Sequence, residues 1–296
     1  MKALITGGTG FVGQHLAQRL SSPIIAGRNP DKIKQLFTGS EVRKWDGSAS
    51  AGSSFFDGVD TVFHLAGESI FQGRWDTAKK ERIRASRVDG TRHLVDLIAG
   101  SEKRPATLIS SSAVGYYGSR KDEKLHEGST PGDDFLAKVC LEWEKEAMRA
   151  QEYGVRVVLI RTGVVLGKNG GALAQMLPPF QLGLGGRLGS GRQYMSWIHM
   201  DDLTAIMLYA QENTNLQGPI NAVAPNPITN HEFTRSLARS LGRPALLPVP
   251  GFALKIALGE VADVLLGSQR VIPEALQQAG YTHAFPDIKV ALRNLL

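Results

Sequence analysis

Three glycines near the beginning of the chain have the spacing of a dinucleotide-binding turn. Gly7, Gly10 and Gly13 form a G-x-x-G-x-x-G pattern between a short apolar run at positions 3–5 and apolar positions at helical spacing, 16, 17 and 20. A strand before the glycines and a helix after them bring backbone N–H groups and the positive end of a helix dipole to a pyrophosphate. A purely structural glycine-rich turn is the alternative. We expect these residues to contact a dinucleotide: Gly7, Gly10, Phe11, Val12 and Gly13.

The end of the second predicted strand selects between the two nicotinamide dinucleotides. In an NAD-preferring site, an Asp or Glu stands about 20 residues after the first glycine and binds the ribose 2′-hydroxyl. This chain has Arg28 there, directly after Gly27, and no acidic residue precedes it. A guanidinium is permanently charged and its donors suit a 2′-phosphate. The sequence therefore predicts NADP(H), with Gly27 and Arg28 in the cofactor site, and a solvated surface arginine is the alternative.

Other residue types that could perform chemistry show no recognisable catalytic or metal-binding pattern. The histidines are scattered without metal-ligand spacing, so we expect no metal site. Ser111 and Ser112 lack the G-x-S-x-G turn of a hydrolase nucleophile. Cys140 is the only cysteine, which excludes an internal disulfide and fits a reducing compartment.

The composition is that of an ordinary globular protein with one large domain, or with a domain and a smaller lobe. The 296 residues are 42% hydrophobic and 21% charged, with a net charge of +6. Lysines and arginines are dispersed, which favours small anionic ligands over nucleic acid. No apolar stretch approaches the roughly 20 residues that span a bilayer, and no signal peptide is recognisable. We expect a cytoplasmic protein with a small-molecule substrate, no nucleic-acid or membrane partner, and a monomeric or homodimeric state.

Strands and helices alternate through the first half of the chain, as they do in a doubly wound parallel sheet. Strands are predicted at 3–5, 24–27, 42–45, 61–66, 107–109 and 155–160, and helices at 76–99 and 133–153. Residues 196–199 and 219–222 are predicted as further short strands. The ligand crevice of such sheets lies at the carboxyl ends of the strands. The predicted fold class is α/β, of the Rossmann type.

After Arg161 the sequence becomes richer in glycine, and from Pro225 onward it is mainly helical. This change predicts a smaller, mainly helical C-terminal lobe that lies over the carboxyl edge of the sheet. We assign residues 1–164 and 191–222 to the NADP-binding domain, and residues 165–190 and 223–296 to the substrate-side lobe. The glycine-rich stretch at 183–191 is either a ligand-contacting loop over the crevice or a mobile surface loop.

Several stretches together resemble the extended short-chain dehydrogenases/reductases, which are NAD(P)-dependent epimerases and dehydratases of sugar nucleotides. The stretches are residues 6–13 (TGGTGFVG), 65–67 (LAG), 110–112 (SSS) and 199–202 (HMDD). Others are similar to an atypical branch known as epimerase-family proteins: residues 67–70 (GESI), 161–167 (RTGVVLG) and 182–191 (LGLGGRLGSG). The resemblance extends over the whole chain, including the helical C-terminus, but it does not specify a substrate.

The resemblance implies cofactor contacts beyond the glycine turn. Arg87 occupies a position where extended members carry asparagine, and as a second cation near the cofactor it would pair with phosphate. An arginine bonded to Glu81 or Asp89 of its own helix is the alternative. The other residues that the resemblance places against ribose, pyrophosphate or nicotinamide are Leu65, Ala66, Gly67 and Val164.

The catalytic residues of the family are matched only in part. The family uses Ser, Tyr and Lys, and its Tyr exchanges a proton with the substrate oxygen. Ser112 and Lys138 match the Ser and the Lys, but Asp134 stands where the Tyr of Y-x-x-x-K belongs. An ionised Asp cannot donate a proton. Tyr116 and Tyr117 are the nearest phenols, and we take Tyr117 as the candidate donor beside Ser112 and Lys138, with Tyr116 as the alternative.

Two functional hypotheses follow from these residues. The first is an NADP(H)-dependent, epimerase-like oxidoreductase whose substrate is a sugar nucleotide or a small carbonyl compound. The second is a protein that binds NADP(H) with little chemistry and acts as a redox sensor or regulator. The missing Tyr favours the second hypothesis, and the cofactor motifs with Ser112 and Lys138 favour the first.

Overall fold

A seven-stranded parallel sheet with helices on both faces forms the centre of the computed structural model, which describes residues 1–296. The strands are β1 (Ala3–Thr6), β2 (Ile24–Gly27), β3 (Val42–Lys44), β4 (Thr61–His64), β5 (Thr107–Ala113), β6 (Lys124–Leu125), β7 (Arg156–Thr162), β8 (Val164–Gly167), β9 (Tyr194–Met195), β10 (Trp197–His199), β11 (Gly218–Ala222), β12 (Ile228–Thr229) and β13 (Arg270–Val271). The helices are α1 (Phe11–Arg19), α2 (Pro30–Leu36), α3 (Thr77–Gly100), α4 (Phe135–Met148), α5 (Gly171–Gln181), α6 (Met200–Glu212), α7 (Asn230–Leu241), α8 (Gly251–Leu258), α9 (Val261–Leu266), α10 (Glu274–Gln278) and α11 (Ile288–Leu295).

The strand order of the main sheet is β3-β2-β1-β4-β5-β7-β11, and every neighbouring pair is parallel. The chain therefore starts in the middle of the sheet, builds outward on one side, and then crosses β1 to build the other side. The reversal point lies between β1 and β4, which is where doubly wound sheets bind their ligands. The prediction of a Rossmann-type α/β fold is confirmed.

Side chains alternate in direction along the buried strands, so the core around the sheet has two layers, one on each face. On β1, Ile5 faces the layer that contains Leu16 of α1 and Leu203 of α6. Leu4 points the other way, into the layer that contains Leu94 of α3. Successive side chains of a strand point to opposite faces, so a continuous apolar run feeds both layers.

The helix after β4 illustrates how local sequence sets an element's limits. Asp76 caps α3, because its carboxylate accepts the Lys79 backbone N–H at 2.6 Å. The apolar positions of α3 then recur on one face, and Ile83, Val88 and Leu94 are buried. None of the eleven helices combines the length and the apolar composition that a bilayer crossing requires.

The C-terminal part of the chain builds a separate apolar cluster. Its buried members come mainly from α5, α7 and α11, with Trp197 of β10 at its contact with the sheet domain. β8 leaves the main sheet after β7 and pairs with β10 instead. A short pairing of β13 with β6 connects this region to the segment after β5, and β12 pairs with β9.

Differences from the predicted elements are confined to their ends. β4 stops at His64, two residues earlier than predicted, although the Leu65 N–H still bonds to the Thr6 carbonyl at 3.1 Å. β5 extends through the serines to Ala113. The segment predicted as one helix at 133–153 is α4 followed by a short 3₁₀ turn over Arg149–Tyr153.

Candidate functional site

The glycine turn after β1 is packed too closely for any side chain at two of its positions. Gly7 has φ +72°, and a Cβ built on it would lie 2.6 Å from the carbonyl carbon of Leu65. A Cβ on Gly13 would lie 2.4 Å from the carbonyl oxygen of Gly7. These approaches hold α1 against the ends of β1 and β4, so the turn has the close packing that the sequence pattern predicts.

The N-terminus of α1 has backbone donors available for an anion. Gly10 is the residue before the helix and supplies no side-chain cap. The first N–H that donates within the helix is that of Gln14, to the Gly10 carbonyl at 3.0 Å, so the N–H groups of Phe11, Val12 and Gly13 have no partner in the helix. Together with the helix dipole, they form an arrangement that can hold a pyrophosphate.

The Phe11 side chain contacts the second lobe. A Cβ built on Gly170 would lie 2.5 Å from its ring, and one on Gly171 would lie 2.6 Å away. The turn between β8 and α5 thus lies directly on this ring. Phe11 joins the glycine turn to the turn between β8 and α5 through its side chain.

The segment after β4 continues the same edge of the sheet. Leu65 and Ala66 are half-buried, and Gly67 is exposed. Arg87 lies beneath this segment, where Nη1 donates to the carbonyl oxygens of Glu68 at 3.0 Å and Ile83 at 3.2 Å. Burial lowers the pKa of Arg87. Arg87 forms no ion pair with Glu81 or Asp89, and its Nη2 group has no partner in the protein.

Arg28 stands at the carboxyl end of β2 with its side chain exposed. It forms no ion pair or hydrogen bond with any other residue, whereas many other arginines of the chain do. The preceding Gly27 pairs with Lys44 of the neighbouring β3. A free guanidinium at this position is able to bind a phosphate on the adenosine ribose.

The predicted cofactor residues lie together along the carboxyl edge. β1, β2 and β4 are neighbours in the sheet and parallel, so the segments that follow them lie side by side. Val164 belongs to β8, which follows β7 and pairs with β10. The catalytic prediction of Ser112, Tyr117 and Lys138 fares differently.

Ser112 is buried near the end of β5, and its hydroxyl is hydrogen-bonded within the protein. Its Oγ donates to Oε1 of Glu144 at 2.6 Å. Glu144 also receives two hydrogen bonds from Arg161, Nε to Oε1 and Nη2 to Oε2, both at 2.8 Å. Ser112 thus belongs to a buried polar network between β5, β7 and α4.

Tyr117 extends the same network away from any open surface. It is fully buried, donates to Oδ1 of Asn221 at 2.7 Å, and accepts from Nη1 of Arg161 at 3.0 Å. Burial raises the pKa of Tyr117 to about 12. A buried phenol with two hydrogen bonds and a raised pKa is a poor proton donor. The structure therefore does not support Tyr117 as the donor.

Tyr116 differs from its neighbour in both contacts and exposure. Its ring stacks on Arg161, with the guanidinium carbon 3.5 Å from the ring centroid. The side chain is partly exposed, and its hydroxyl has no hydrogen-bond partner in the protein. Of the two phenols after Ser112, Tyr116 is the one whose hydroxyl is free to reach a ligand.

Asp134 and Lys138 occupy the ends of the first turn of α4. The Asp134 carboxylate accepts the Ala137 N–H at 2.9 Å, so this residue caps the helix where the family pattern has Tyr. Its other oxygen faces Gly118, on which a Cβ would lie 3.2 Å away. Lys138 is exposed and makes no side-chain contact with Ser112 or either tyrosine. Its catalytic role stays a prediction.

Glu144, Arg161 and Asn221 are the network residues that the sequence did not reveal. They come from α4, β7 and β11, and no local spacing connects them. The one available signal was a charged residue, Arg161, directly after the apolar run at 157–160. A buried arginine requires a paired acid, but the sequence does not indicate which of the 28 acidic residues it is.

Comparison with known proteins agrees with this architecture. Residues 3–223 match the NAD dependent epimerase/dehydratase family, and residues 249–295 match a domain of unknown function, DUF1731. The chain is 43% identical to "Epimerase family protein SDR39U1 homolog, chloroplastic" of Arabidopsis thaliana, over 100% of this chain and 87% of that protein. It is 38% identical to "Epimerase family protein YfhF" of Bacillus subtilis, over 100% of this chain and 98% of that protein.

Solved structures show the same relationship. The crystal structure of human epimerase family protein SDR39U1 (isoform2) with NADPH superposes with a TM-score of 0.91 at 35% identity, covering 100% of this chain and 99% of the human one. UDP-glucuronic acid 4-epimerase of Bacillus cereus, in complex with UDP-glucuronic acid and NAD, shares the fold with a TM-score of 0.78 at 18% identity, over 100% of this chain and 98% of that one. The chain belongs to the NAD dependent epimerase/dehydratase family.

Proposed function

We propose that this chain binds NADPH along the carboxyl edge of its sheet and uses it to reduce a carbonyl group on a small molecule or sugar nucleotide. The observation that carries the cofactor choice is the free guanidinium of Arg28 at the end of β2. No acidic residue stands at this strand end to hold a ribose 2′-hydroxyl. The human relative with 35% identity was solved with NADPH, which supports the same choice.

The pyrophosphate would be held by the backbone donors at the start of α1, where the close packing of Gly7 and Gly13 fixes the turn. Arg87 would contribute its unpartnered Nη2 group from beneath Gly67. NADPH supplies the hydride when bound, and the chain's own part is to orient the carbonyl and deliver a proton to its oxygen. We assign that proton to Tyr116, because its hydroxyl has no other partner.

The substrate would be chosen by the second lobe. We propose that residues 1–164 and 191–222 form the cofactor domain, and that 165–190 and 223–296 form the substrate-side lobe. The separate apolar cluster of α5, α7 and α11 supports this division. The contact of Phe11 with the turn at Gly170 and Gly171 would couple the lobe to the cofactor turn.

A second candidate function is a sensor that binds NADPH without rapid turnover. The specific observation in its favour is that Ser112 and Tyr117 are both engaged in a buried network with Glu144 and Arg161. A site whose hydroxyls stabilise the fold has fewer groups available for chemistry. NADPH oxidation in the presence of carbonyl, quinone and sugar-nucleotide compounds separates the two functions.

Calorimetric titration of NADPH and NADH tests the cofactor assignment. We expect the parent to prefer NADPH by well over tenfold, and Arg28→Ala to lose most of that preference, because tenfold corresponds to about 1.4 kcal/mol and one charge-assisted contact supplies that much. Lys34→Ala is the matched control, since Lys34 is an exposed cation of the adjacent α2 with no partner. Equal affinities of the parent for both cofactors would overturn the assignment.

A further inference from the structure

We propose that the 2′-phosphate of NADPH is clamped by two arginines, Arg28 and Arg82, and that Lys79 keeps both available by neutralising Glu68. This inference rests on the proposed NADPH site and adds a second specificity residue from a different element. It also assigns a positioning role to an ion pair that lies beside the cofactor edge. Glu68, Lys79 and Arg82 are not part of the dinucleotide pattern in the sequence.

Glu68 is held at three points by α3. Its N–H donates to Oγ of Ser86 at 3.0 Å, and its carbonyl accepts from Arg87 at 3.0 Å. Its carboxylate receives Nζ of Lys79 at 2.7 Å. A residue fixed through its N–H, its carbonyl and its side chain has a defined position, so the negative charge of Glu68 is confined beside the end of β4.

Arg82 lies between Lys79 and Ser86, two of the three helix residues that hold Glu68. Lys79, Arg82 and Ser86 stand at positions i, i+3 and i+7 of α3, and residues at this spacing share one helix face. The stem of Arg82 therefore starts on the face that contacts Glu68. Arg82 is exposed and forms no ion pair or hydrogen bond.

The neighbouring charged residues of α3 are already paired elsewhere. Arg84, two residues further on, bonds to Glu142 at 2.7 Å and lies 3.9 Å from Glu81 and 3.8 Å from Asp89. Arg82 has none of these acids within ion-pair distance. Its guanidinium is thus free to reach a ligand beside Glu68.

The sheet brings Arg28 to the same edge as Glu68, because β2 and β4 flank β1 and the two residues follow the carboxyl ends of β2 and β4. The hydrogen bond from Lys79 is the main cause that holds the pKa of Glu68 below its usual value, against the effect of burial. The charges of Lys79, Arg82 and Arg28 lower it further. Lys79 neutralises this carboxylate, so Arg28 and Arg82 contribute a surplus of two positive charges that it does not offset. A phosphate monoester carries about −1.5 to −2 charges at pH 7, so it matches this surplus.

Lys79 determines whether the carboxylate of Glu68 is neutralised or is left to repel a phosphate. The Lys79 side chain is only 5% exposed, while that of Glu68 is 35% exposed. Without Lys79, the carboxylate would repel a 2′-phosphate and would compete with it for Arg28 and Arg82. With Lys79 in place, the carboxylate is neutralised and both guanidinium groups remain for the ligand.

Binding of adenosine 2′,5′-bisphosphate and of AMP, measured by calorimetry, tests the clamp on the adenosine half alone. We expect Arg82→Ala to weaken binding of the bisphosphate about tenfold and AMP binding by less than twofold, as for loss of one charge-assisted contact. Lys103→Ala is the matched control, because Lys103 is an exposed cation just beyond the opposite end of α3. It should leave both affinities unchanged.

The role of Lys79 is tested by rescue. Lys79→Met should weaken bisphosphate binding at least as much as Arg82→Ala, and the double variant Lys79→Met/Glu68→Gln should regain most of it, since no carboxylate then needs neutralising. Thermal melting of each variant separates a local effect from loss of folding. A double variant that stays folded but binds no better than Lys79→Met would overturn the positioning role.

The outcomes distinguish this inference from the function on which it rests. If the parent prefers the bisphosphate to AMP and Arg82→Ala keeps that preference, the NADPH site stands and the clamp is wrong. If the parent shows no preference, the NADPH assignment and the clamp both fall. Loss of the preference in Arg28→Ala and in Arg82→Ala, with AMP binding intact, supports both.

Discussion

Arg161 and Glu144 form a bidentate ion pair in the interior, with Nε to Oε1 and Nη2 to Oε2 both 2.8 Å apart. Their side chains are 3% and 8% exposed. The Ser112 hydroxyl donates a third hydrogen bond to the same carboxylate, and the same guanidinium donates one to the Tyr117 hydroxyl. This pair therefore fixes the loop after β5 against β7 and α4.

Removing one partner of this pair should be strongly destabilising. Glu144→Ala leaves a buried, unpaired guanidinium, and the expected loss in unfolding free energy is about 3–5 kcal/mol. Urea unfolding measures it. Asp263→Ala is the control, because the Lys255–Asp263 pair is equally short at 2.8 Å but 59% and 60% exposed. That variant should lose less than about 1 kcal/mol. Equal losses in the two variants would contradict the structural role of the buried pair.

Phe substitutions at the two adjacent tyrosines should have different effects, one on stability and the other on turnover. Tyr117→Phe removes a hydroxyl that bonds Asn221 and Arg161, so unfolding free energy should fall by about 1–3 kcal/mol. Tyr116→Phe removes a hydroxyl without a partner, so stability should change by less than about 0.5 kcal/mol. If Tyr116 donates the proton, this variant loses turnover and keeps its NADPH affinity. Full turnover in Tyr116→Phe would exclude it as the donor.

Burial of His64 predicts a dependence of stability on pH. His64 is enclosed between Thr6 at 2.7 Å and Thr91 at 2.9 Å, and burial lowers its pKa from 6.5 to about 4. Below pH 6.5 the unfolded chain binds a proton at this ring that the folded chain does not bind. Stability is therefore lost as pH falls from 6.5 toward 4, by about 2 kcal/mol between pH 7 and pH 5.

Urea unfolding at both pH values checks this slope. His64→Asn should reduce the pH dependence by that amount, while His231→Asn, at an exposed position, should not. Burial also lowers the pKa of His199 and His283, so part of the dependence remains in every variant. An unchanged slope in His64→Asn would contradict the assignment to His64.

Gly13 should not tolerate even a methyl group. In Gly13→Ala the new Cβ would meet the Gly7 carbonyl oxygen at 2.4 Å, so the turn must shift. We expect a loss of about 1–3 kcal/mol in stability and a large loss of NADPH affinity. Gly100→Ala is the control, because a Cβ at this helical position meets nothing within 4 Å. Unimpaired NADPH binding in Gly13→Ala would show that the turn does not hold the pyrophosphate.

Gly186, like Gly13, is a position where the packing leaves no room for a Cβ. A Cβ there would lie 1.6 Å from the Leu247 carbonyl oxygen, and the segment that follows Gly186 pairs with Val249 through Arg187 and Gly189. The glycine-rich stretch is therefore packed against the segment that leads into α8. Gly186→Ala should release it, and limited proteolysis should then cut within 183–191 faster than in the parent. Cleavage at the parent rate would contradict this packing.

The sequence alone determined the parallel sheet and the carboxyl edge at which we propose that the cofactor binds. Apolar runs of four to seven residues separated by helical patterns are local features, and parallel strands place their following turns at one edge whatever the details of packing. The glycine spacing and Arg28 could be interpreted for the same reason, since each acts through backbone geometry or charge at a known strand end. These predictions did not depend on which side chains meet.

The tertiary structure decided which polar side chains are hydrogen-bonded within the protein and which have no partner there. Ser112 and Tyr117 were plausible catalytic residues in the sequence, but their partners Glu144, Arg161 and Asn221 come from other elements. The choice between Tyr116 and Tyr117 likewise depends on which ring faces Arg161 and which hydroxyl faces Asn221. Hydrogen bonds between buried side chains depend on side-chain direction across separate strands and helices, and no spacing along the chain encodes that direction.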